Sequence, residues 1–343
     1  MACKINIKKT LFAFALIFVF FAPKAFSENE KKQMVIPGGE PMGVILNCNG
    51  VLISKVEDVV DFSKESPAKK AGLKSGDVIT AVEDEKVFSV KDFKDKLESI
   101  GKKTFKLTVE RGGKSEEIFL NSENSEQNEK SFLGIWIKDA ASGIGTVTYY
   151  DAQSKNFGML GHGISTSETG ELFPIFDGFV VKAQIVSVEK GKKGVPGELK
   201  GSFFDNGETE GKIKSNNAFG IFGKMCDDFC VKKMPVETAE KEEIKKGPAT
   251  VLTTVSGSCP KEYSVEIVKI NSFSKSGNQN MVIKITDERL KNISGGIVRG
   301  MSGSPIIQNG KLVGAITYVF VNDPAKGYGV FIENMLSAGE KTR

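Results

Sequence analysis

The sequence has very little histidine. Among its 343 residues there is a single one, His162. A serine hydroxyl is a poor nucleophile near neutral pH and needs a neighbouring base, for which histidine is the usual side chain. The scarcity therefore excludes any other imidazole: if a serine of this chain acts as a nucleophile with imidazole help, His162 provides it.

Cysteine is also scarce. Cys3 lies near the N-terminus, and Cys48, Cys226, Cys230 and Cys259 follow. The spacing of Cys226 and Cys230 fits half of a zinc site, but with no further histidine and one more cysteine nearby the set lacks a fourth ligand. We therefore expect no metal and no other cofactor, and we expect ordinary thiols or one disulfide.

Neither sign of charge dominates. Lys and Arg number 47 against 43 Asp and Glu, which gives a formal net charge of +4. The lysine-rich segments at residues 190–193 and 241–246 are short and lack interleaved aromatic side chains, which indicates solvated surface. No nucleic-acid partner is expected.

An apolar run near the N-terminus is too short to cross a bilayer. Residues 11–22 are apolar, whereas a membrane-spanning helix needs ~20 residues. Lysines precede the run and small residues ending at Ser27 follow it, which is typical of an export signal. We predict that residues 1–27 are a signal peptide cleaved after Ser27, or a membrane anchor, and that the rest of the chain acts outside the cytoplasm.

The length of the chain suits two domains, each with its own core. A polar stretch at residues 121–131 contains nothing to bury and is typical of a linker. We predict a first domain at residues 34–120 and a second domain at residues 132–343.

The first domain is marked by the segment SPAKKAGLKSGDVI at residues 66–79. It predicts a short helix behind a serine cap, a stop at Gly72 and a strand at residues 78–82, and a second helix follows at residues 90–100. The segment resembles the PDZ domains of exported bacterial proteases. The resemblance implies a peptide-binding module in which a ligand adds a strand to the sheet.

A glycine-rich segment predicts where that peptide binds. Gly38, Gly39 and Gly43 precede an apolar strand that begins at Val44. Backbone N–H groups in such a loop hold a peptide carboxylate in PDZ domains. We therefore predict a peptide-binding loop formed by these four residues. The alternative is an ordinary hairpin loop, and Pro41 removes one N–H donor.

The second domain shows many short β-type segments separated by turn residues. Strands are predicted at residues 144–150, 157–164, 179–188, 264–270, 281–285, 306–307, 313–321 and 328–332. Helical periodicity is confined to residues 236–245 and 332–338. The pattern favours an all-β barrel or sandwich, so that the chain as a whole is mainly β.

One turn in the second domain carries the pattern of a nucleophilic serine. The sequence GMSGSP at residues 300–305 places glycines on both sides of Ser302, and glycine permits the tight backbone path that exposes a hydroxyl. The turn resembles the nucleophile signature of chymotrypsin-like proteases. That resemblance implies Ser302 as the nucleophile, the N–H groups of Gly300 and Ser302 as the oxyanion hole, and a structural position for Ser304. A plain Gly/Ser-rich turn is the alternative.

His162 fits the same chemistry. Glycines flank it, which leaves the ring accessible, and it precedes Ser302 as in the chain order of chymotrypsin-like enzymes. The third member of such a triad is a carboxylate that accepts the other ring N–H. The candidates between these two residues, among which spacing does not choose, are Asp177, Asp205, Asp227, Asp228 and Asp287.

A longer resemblance points to a family. The chain is similar to stage IV sporulation protein B, a family of PDZ-containing serine peptidases of endospore-forming bacteria. The similarity is carried by residues 160–164, 218–223, 295–314, 320–324 and 327–330. It implies a chymotrypsin-like double β-barrel behind the PDZ domain, and it implies Asp287 as the acidic member of the triad.

The resemblance also implies a role. The chain would be a serine endopeptidase of sporulation signalling, secreted from the forespore into the space between the two sporulation membranes. There it would cleave a membrane-bound regulatory protein, so that an intramembrane protease is released and activates a mother-cell sigma factor. It would also cleave its own N-terminal region. Proteins or peptides are thus the expected substrates and partners.

Two other functions stay open at this point. An exported quality-control protease usually carries its PDZ domain after the protease domain, whereas the order here is reversed. A non-catalytic PDZ scaffold with an inactive barrel has no physical reason to retain both His162 and Ser302.

Overall fold

The computed structural model describes residues 33–58, 65–101, 104–121, 123–124, 131–204, 208–226, 233–271 and 277–341. Residues Met34–Arg343 form one compact unit. Within the described ranges no helix combines the length and the apolar character that a bilayer crossing needs. The predicted export segment at residues 1–27 lies outside those ranges.

Strands dominate the described chain. In chain order they are β1 (Met34–Pro37), β2 (Pro41–Val56), β3 (Val78–Val82), β4 (Glu85–Lys86), β5 (Thr104–Arg111), β6 (Lys114–Asn121), β7 (Glu123–Asn124), β8 (Ser131–Phe132), β9 (Ile135–Tyr150), β10 (Asn156–Met159), β11 (Asp177–Glu189), β12 (Glu198–Phe203), β13 (Thr209–Asn217), β14 (Gly220–Met225), β15 (Val236–Glu237), β16 (Gly247–Thr253), β17 (Lys261–Ile270), β18 (Met281–Ile285), β19 (Pro305–Gln308), β20 (Lys311–Val319) and β21 (Lys326–Phe331). The helices are α1 (Pro67–Lys70), α2 (Val90–Ile100), α3 (Glu288–Ser294) and α4 (Ile332–Glu340). The mainly β fold class is confirmed.

The PDZ part is a sheet of β9, β2, β3, β5 and β6 with two helices packed on it. Both predicted helices form, and each begins behind a serine. The Ser66 hydroxyl accepts a bond from Lys69 N at 3.4 Å, and the Ser89 hydroxyl accepts one from Asp92 N at 3.0 Å. Phe93 of α2 is buried among apolar residues of the strands. This amphipathic packing is what the sequence pattern predicts.

The rest of the described chain forms two six-stranded barrels. In the first, the pairings run β9, β10, β14, β13, β11 and β2, and return from β2 to β9. The second barrel closes through β16, β17, β18, β21, β20 and β19. Each barrel has its own apolar core, and α4 packs against apolar residues contributed by both. The double β-barrel expected from the sequence is therefore present.

The start of the described chain contributes strands to the first barrel, and the predicted domain boundary at residue 34 stays a prediction. Ile36, Val44 and Leu46 are buried in the core of that barrel. Residues 42–47 of β2 pair with β11 on one edge and with β9 on the other. Because β2 continues without a turn into the PDZ sheet, the chain leaves the first barrel along β2 and returns to it along β9.

The helix predicted at residues 236–245 does not form. That segment contains β15, and Ala239 N donates to the carbonyl of Leu312 at 2.9 Å. Ala239 and Ile244 are buried in the core of the second barrel. Tertiary burial along β20 therefore overrides the local helical preference.

Candidate active site

The turn that carries Ser302 fits tightly against β9. Gly300 and Gly303 both have a φ of 94°, a left-handed conformation that side chains other than hydrogen disfavour. A Cβ atom on Gly303 would lie 2.0 Å from the carbonyl oxygen of Thr146. Glycine is therefore required at this position by both its conformation and its surroundings.

Two buried threonines of β9 hold this turn. The Thr146 hydroxyl donates to the carbonyl of Gly300 and the Thr148 hydroxyl donates to that of Gly303, each at 2.8 Å. Thr146 N also donates to the carbonyl of Ser302 at 3.2 Å. The serine turn of the second barrel is thus fixed to a strand of the first barrel.

Ser304 has the structural position predicted for it. Its side chain is fully buried and its hydroxyl donates to Thr253 Oγ1 at 2.9 Å. A hydroxyl without solvent access and already bonded to a neighbour cannot meet a peptide substrate. Ser304 therefore does not compete with Ser302 as a nucleophile.

His162 lies in the loop after β10, close to the serine turn. Leu160 and Gly161 both have positive φ, 71° and 69°, and Leu160 N donates to the carbonyl of Thr146 at 3.2 Å. The amide of Asn216 binds the N–H and the carbonyl of Ile164, both at 2.8 Å. The backbone is thus anchored on both sides of the histidine.

The imidazole itself has two neighbours that define its state. Nδ1 lies 2.9 Å from the carbonyl oxygen of Gly163. Because a carbonyl only accepts, Nδ1 carries the hydrogen and Nε2 of the neutral ring is the free acceptor. The ring of Tyr318 stacks on the imidazole with 4.8 Å between centroids. Burial lowers the pKa of His162, and the bond to Gly163 opposes that effect in part.

His162 and Ser302 line one cavity of about 460 Å³ between the barrels. Its walls come from β9, from the turn before Ser302 and from β20, and they are largely apolar. The residues that line it are Val44, Ser142, Gly143, Ile144, Gly145, Leu160, His162, Ile164, Pro196, Ile297, Val298, Arg299, Gly300, Ser302, Thr317, Tyr318, Val319 and Val321. The structure therefore brings the predicted base and nucleophile to the same site.

Ser302 and His162 do not bond to each other in this conformation. The Ser302 hydroxyl instead donates to the carbonyl of Thr317 at 2.7 Å. Catalytic hydrogen bonds are often long or unmade in substrate-free enzymes and form in the complex. A rotation of the Ser302 side chain exchanges one partner for another and leaves the backbone in place.

The predicted oxyanion donors are available. Among the described residues, neither Gly300 N nor Ser302 N has a hydrogen-bond acceptor. Arg299 is held by β12 and the residues before it, since its N–H donates to Gly197 and its carbonyl accepts from Leu199 N at 2.8 Å. In a trans peptide the Gly300 N–H points away from that carbonyl, so β12 sets the direction of this donor.

Asp287 lies elsewhere, and the structure does not bring it to His162. It caps the N-terminus of α3, where its carboxylate accepts from Arg289 N at 2.9 Å and from Ser264 N at 3.2 Å. Its ion pair with Arg289 has a closest distance of 2.7 Å. The hydrogen bonds from Arg289 hold the pKa of the Asp287 carboxyl well below its usual range. The triad role of Asp287 stays a prediction, and these contacts indicate a structural one.

The other candidate carboxylates give no acidic partner within the described chain. Asp177 accepts a bond from the Asn47 side chain at 2.7 Å and does not line the cavity. Asp205, Asp227 and Asp228 lie outside the described ranges. The cavity lining includes Arg299 and no carboxylate.

The residues of the predicted PDZ loop belong to the first barrel, and their peptide-binding role stays a prediction. Gly38 N and Gly39 N donate to the carbonyls of Thr148 and Val147, at 3.0 and 2.8 Å. Gly43 and Val44 are paired on both edges of β2, with β9 and with β11. A loop whose N–H groups are already bonded offers no nest to a peptide carboxylate, and Val44 lines the cavity of His162 instead.

The described cysteines are unpaired. Cys48 is buried, Cys226 is half-buried and Cys259 is exposed, and all three are free thiols. Burial raises the pKa of Cys48 to about 11. Within the described ranges no group of three side chains could hold a metal ion. Cys230 lies outside those ranges.

Sequence reasoning missed the residues that support the pair. Thr146, Thr148 and Asn216 hold the two loops, and Thr317 and Tyr318 contact the serine and the histidine. None of them lies within three residues of Ser302 or stands in a motif. Their role depends on the closing of two barrels, which a local pattern does not report.

Comparison with known proteins agrees with these observations at the level of the family. The family described as SpoIVB peptidase S55 matches residues 129–336, more than half of the chain. The PDZ domain family matches residues 40–121. A probable periplasmic serine protease do/HhoA-like of Haemophilus influenzae is 29% identical over 107 residues, which are 31% of this chain and 23% of that protein. The chain thus spans about a quarter of this relative.

Solved structures give more distant likenesses. An HtrA-type protease AlgW with decapeptide is 10% identical with a TM-score of 0.35, over 60% of this chain and 53% of that one. The active form of the Rv3671c protease from M. tuberculosis is 13% identical with a TM-score of 0.34, over 59% and 74%. The fold therefore rests on the strand pairings and the family matches. This chain belongs to the SpoIVB peptidase S55 family and carries a PDZ domain.

Proposed function

We propose that this chain is a serine endopeptidase in which Ser302 is the nucleophile and His162 is the general base. The observation that carries the proposal is the shared cavity, in which the only imidazole of the chain and an accessible serine turn meet between the barrels. A fluorophosphonate probe followed by mass spectrometry tests it. Label on Ser302 supports the proposal, and label confined to another serine contradicts it.

The chemistry follows from the assigned hydrogens. Ser302 Oγ attacks the carbonyl carbon of the scissile bond while Nε2 of His162 takes the hydroxyl proton. The N–H groups of Gly300 and Ser302 bind the oxyanion. The C–N bond then breaks, His162 protonates the leaving amine, and an acyl ester remains on Ser302. Water attacks this ester with His162 as base, the bond between the acyl carbon and Ser302 Oγ breaks, the carboxylic acid product leaves, and His162 returns the proton to Ser302.

The cavity favours aliphatic substrate side chains. The residues that line the cavity together with Ser302 include four aliphatic ones, Ile297, Val298, Val319 and Val321. A substrate lysine or arginine would find no carboxylate among the lining residues, and burying an unpaired charge is costly. Peptides with valine before the scissile bond should therefore be cleaved faster than matched peptides with lysine, which a fluorogenic assay measures.

The PDZ part has an unpaired strand edge suited to a peptide. At residues 135–138, β9 pairs with β2, and no described strand covers its other edge. That part of β9 packs beside α2, where Val90 N donates to the Asp139 carboxylate at 2.8 Å. Just before β9, Gly134 has a φ of 79° and its carbonyl accepts from Glu57 N. An extended peptide can add a strand here.

Trp136, the only tryptophan, reports on that edge. It lies on β9 and is 62% exposed, so a bound peptide should change its fluorescence. Leu97→Gln removes an apolar contact of α2 and should weaken peptide binding. Lys94→Gln, on the exposed face of the same helix, is the matched control. Equal affinities in both variants would contradict binding between β9 and α2.

Family membership supports a role in sporulation. The chain is exported from the forespore into the space between the sporulation membranes, and there it cleaves a membrane-bound regulatory protein and its own N-terminal region. The released intramembrane protease activates a mother-cell sigma factor. A sigma-factor reporter strain that lacks its own family peptidase tests this: the wild-type chain should restore the signal and Ser302→Ala should not. Restoration by Ser302→Ala would refute a proteolytic role.

A further inference from the structure

The role inferred below for one more residue depends on the proposed function of His162 as the general base. We propose that Tyr318, anchored by Asn278, is a positioning residue for the His162 imidazole. Together with the Gly163 carbonyl, it restrains the orientation of the ring, as the acidic residue of a serine–histidine–acid triad also does. Among the described residues, both of these supports are neutral.

Two contacts fix the imidazole in two different senses. The ring of Tyr318 lies 4.8 Å from that of His162 at an interplanar angle of 21°, which sets the plane of the imidazole. The bond from Nδ1 to the Gly163 carbonyl, at 2.9 Å, sets its rotation within that plane. Nε2 is then left as the acceptor for the proton of Ser302.

Tyr318 is itself held at the far end of its ring. The Asn278 amide donates to the Tyr318 hydroxyl at 3.3 Å and to the carbonyl of Ala218 at 2.9 Å. The Thr317 hydroxyl donates to the backbone carbonyl oxygen of Asn278 at 3.1 Å. Asn278 is buried, so this anchor is shielded from competing water. This bond through the hydroxyl restrains the ring from turning away from the histidine.

Asn278 therefore connects the supports of both catalytic side chains. The Thr317 carbonyl accepts the bond from the Ser302 hydroxyl, and the neighbouring Tyr318 covers His162. Both residues stand on β20 and both bond to Asn278. The side-chain amide of Asn278 thus holds Tyr318, and its backbone carbonyl accepts from Thr317.

In the part of the chain that the structure describes, no charged group around His162 provides this orientation. On β20 the ionisable residue that lines the cavity is Tyr318, and in the turn before Ser302 it is Arg299. Asn216, which holds the loop of His162, is neutral. A stacked ring also keeps water from one face of the imidazole, and loss of water disfavours the charged form. Removal of that ring should therefore raise the pKa of His162 toward its ordinary value.

A single histidine makes the test direct. The imidazole of the full chain carrying Ser302→Ala gives one set of NMR signals, which are followed against pH. Tyr318→Leu should raise the pKa of His162, whereas Tyr318→Phe keeps the ring and should change it little. Val319→Ala alters the same cavity without touching the imidazole, and it should leave this pKa unchanged.

Kinetics of the catalytically intact chain give the second readout. Tyr318→Leu should lower kcat by about 10–100-fold, since misplaced catalytic groups cost rates of that order. In Tyr318→Leu the fall of kcat/KM on the acidic side of the pH profile should begin at a higher pH. Tyr318→Phe should keep a kcat and a pH profile close to those of the wild type. Asn278→Ser should lower kcat less. In a Tyr318→Phe background, Asn278→Ser should lower kcat less than it does in the wild type, because the hydroxyl to which the Asn278 amide donates is absent.

The contradicting result is equally definite. If Tyr318→Leu leaves the pKa of His162 unchanged and lowers kcat no more than Val319→Ala does, Tyr318 is an ordinary wall residue. If Tyr318→Leu does not fold, Tyr318→Met, which also lacks the ring, takes its place, and an unchanged pKa and kcat in that variant overturn the proposal. Should the wild-type chain neither hydrolyse peptides nor label at Ser302, the proposed function fails, and the NMR titration still decides whether Tyr318 shields His162.

Discussion

The two ends of β18 differ in what they contribute. Before its start lies Asn278, which bonds to the two residues of β20 that contact Ser302 and His162. After its end lies Asp287, which caps α3 and pairs with Arg289. The first end is made of neutral groups beside the cavity, and the second is an ion pair away from it. The ion pair at the second end therefore stabilises the start of α3, and the neutral contacts at the first end support the candidate site.

Removal of the nucleophile should have the largest effect. Ser302→Ala should lower kcat by about 10⁴–10⁶, the usual cost of losing a triad nucleophile. The thermal unfolding midpoint should stay near that of the wild-type chain, since the Ser302 hydroxyl makes one bond to a carbonyl. Hydrolysis of a fluorogenic peptide measures the loss. Self-cleavage that persists in purified Ser302→Ala would contradict Ser302 as the nucleophile.

The pH dependence of activity should report the cavity end as well. Because burial lowers the pKa of His162, the neutral base persists somewhat below pH 6.5. Below its pKa, kcat/KM should fall by about tenfold per pH unit as the imidazole is protonated. A profile of kcat/KM against pH checks this. If the residual activity of His162→Gln shows the same fall of kcat/KM at low pH, the titrating group is not His162.

Loss of the carboxylate at the far end should have a smaller effect on activity. Asp287→Asn should keep kcat/KM within about tenfold of the wild type and cost about 0.5–2 kcal/mol of unfolding free energy, the range for a helix N-cap. Peptide hydrolysis and urea denaturation of the same sample separate the two effects. Arg289→Gln is the matched control. A folded Asp287→Asn chain without activity, beside an active Arg289→Gln, would restore the triad role.

Acid should weaken the Asp287 contacts in a defined window. Its folded-state pKa is lowered, chiefly by the bonds from Arg289, so its stabilisation is present above the unfolded value near 3.8. It is lost as pH falls below that value and through the folded one. The stability difference between wild type and Asp287→Asn should therefore shrink below about pH 4. A constant difference down to pH 2 would contradict the ion pair.

The smallest effect on catalysis is expected for Ser304→Ala. Its hydroxyl donates to Thr253 Oγ1 inside the protein. The change should therefore cost about 1–3 kcal/mol of stability, because the buried Thr253 hydroxyl loses its donor. The kcat of the folded fraction should stay close to that of the wild type. Urea denaturation with parallel kinetics measures both. Abolished labelling of Ser302 in folded Ser304→Ala would contradict a purely structural position.

Local patterns predicted much of the fold. Serine caps and apolar spacing predicted α2 at its observed bounds, and alternation predicted β18 and most of the second barrel. The glycines at 300 and 303 correctly indicated a tight turn. Each of these features is decided by residues near one another in the sequence.

What local patterns did not predict depends on long-range pairing. The segment at residues 38–44 looks like a free loop and an edge strand, but β9 and β11 cover both edges, and neither strand is near it in sequence. Asn278 and Tyr318 carry no motif, and they meet only because β18, β20 and β21 close the second barrel. The acidic residue was taken from family resemblance, and its triad role stays a prediction beside the contacts that it makes with Arg289 and Ser264.

The most direct test of the account is labelling by a fluorophosphonate in three folded chains. The wild type and Asp287→Asn should both be labelled at Ser302 at comparable rates, and His162→Gln should be labelled at least about 100-fold more slowly, because it lacks the base. Equal labelling of His162→Gln, or none in Asp287→Asn, would contradict a site built from His162 and Ser302 with neutral supports.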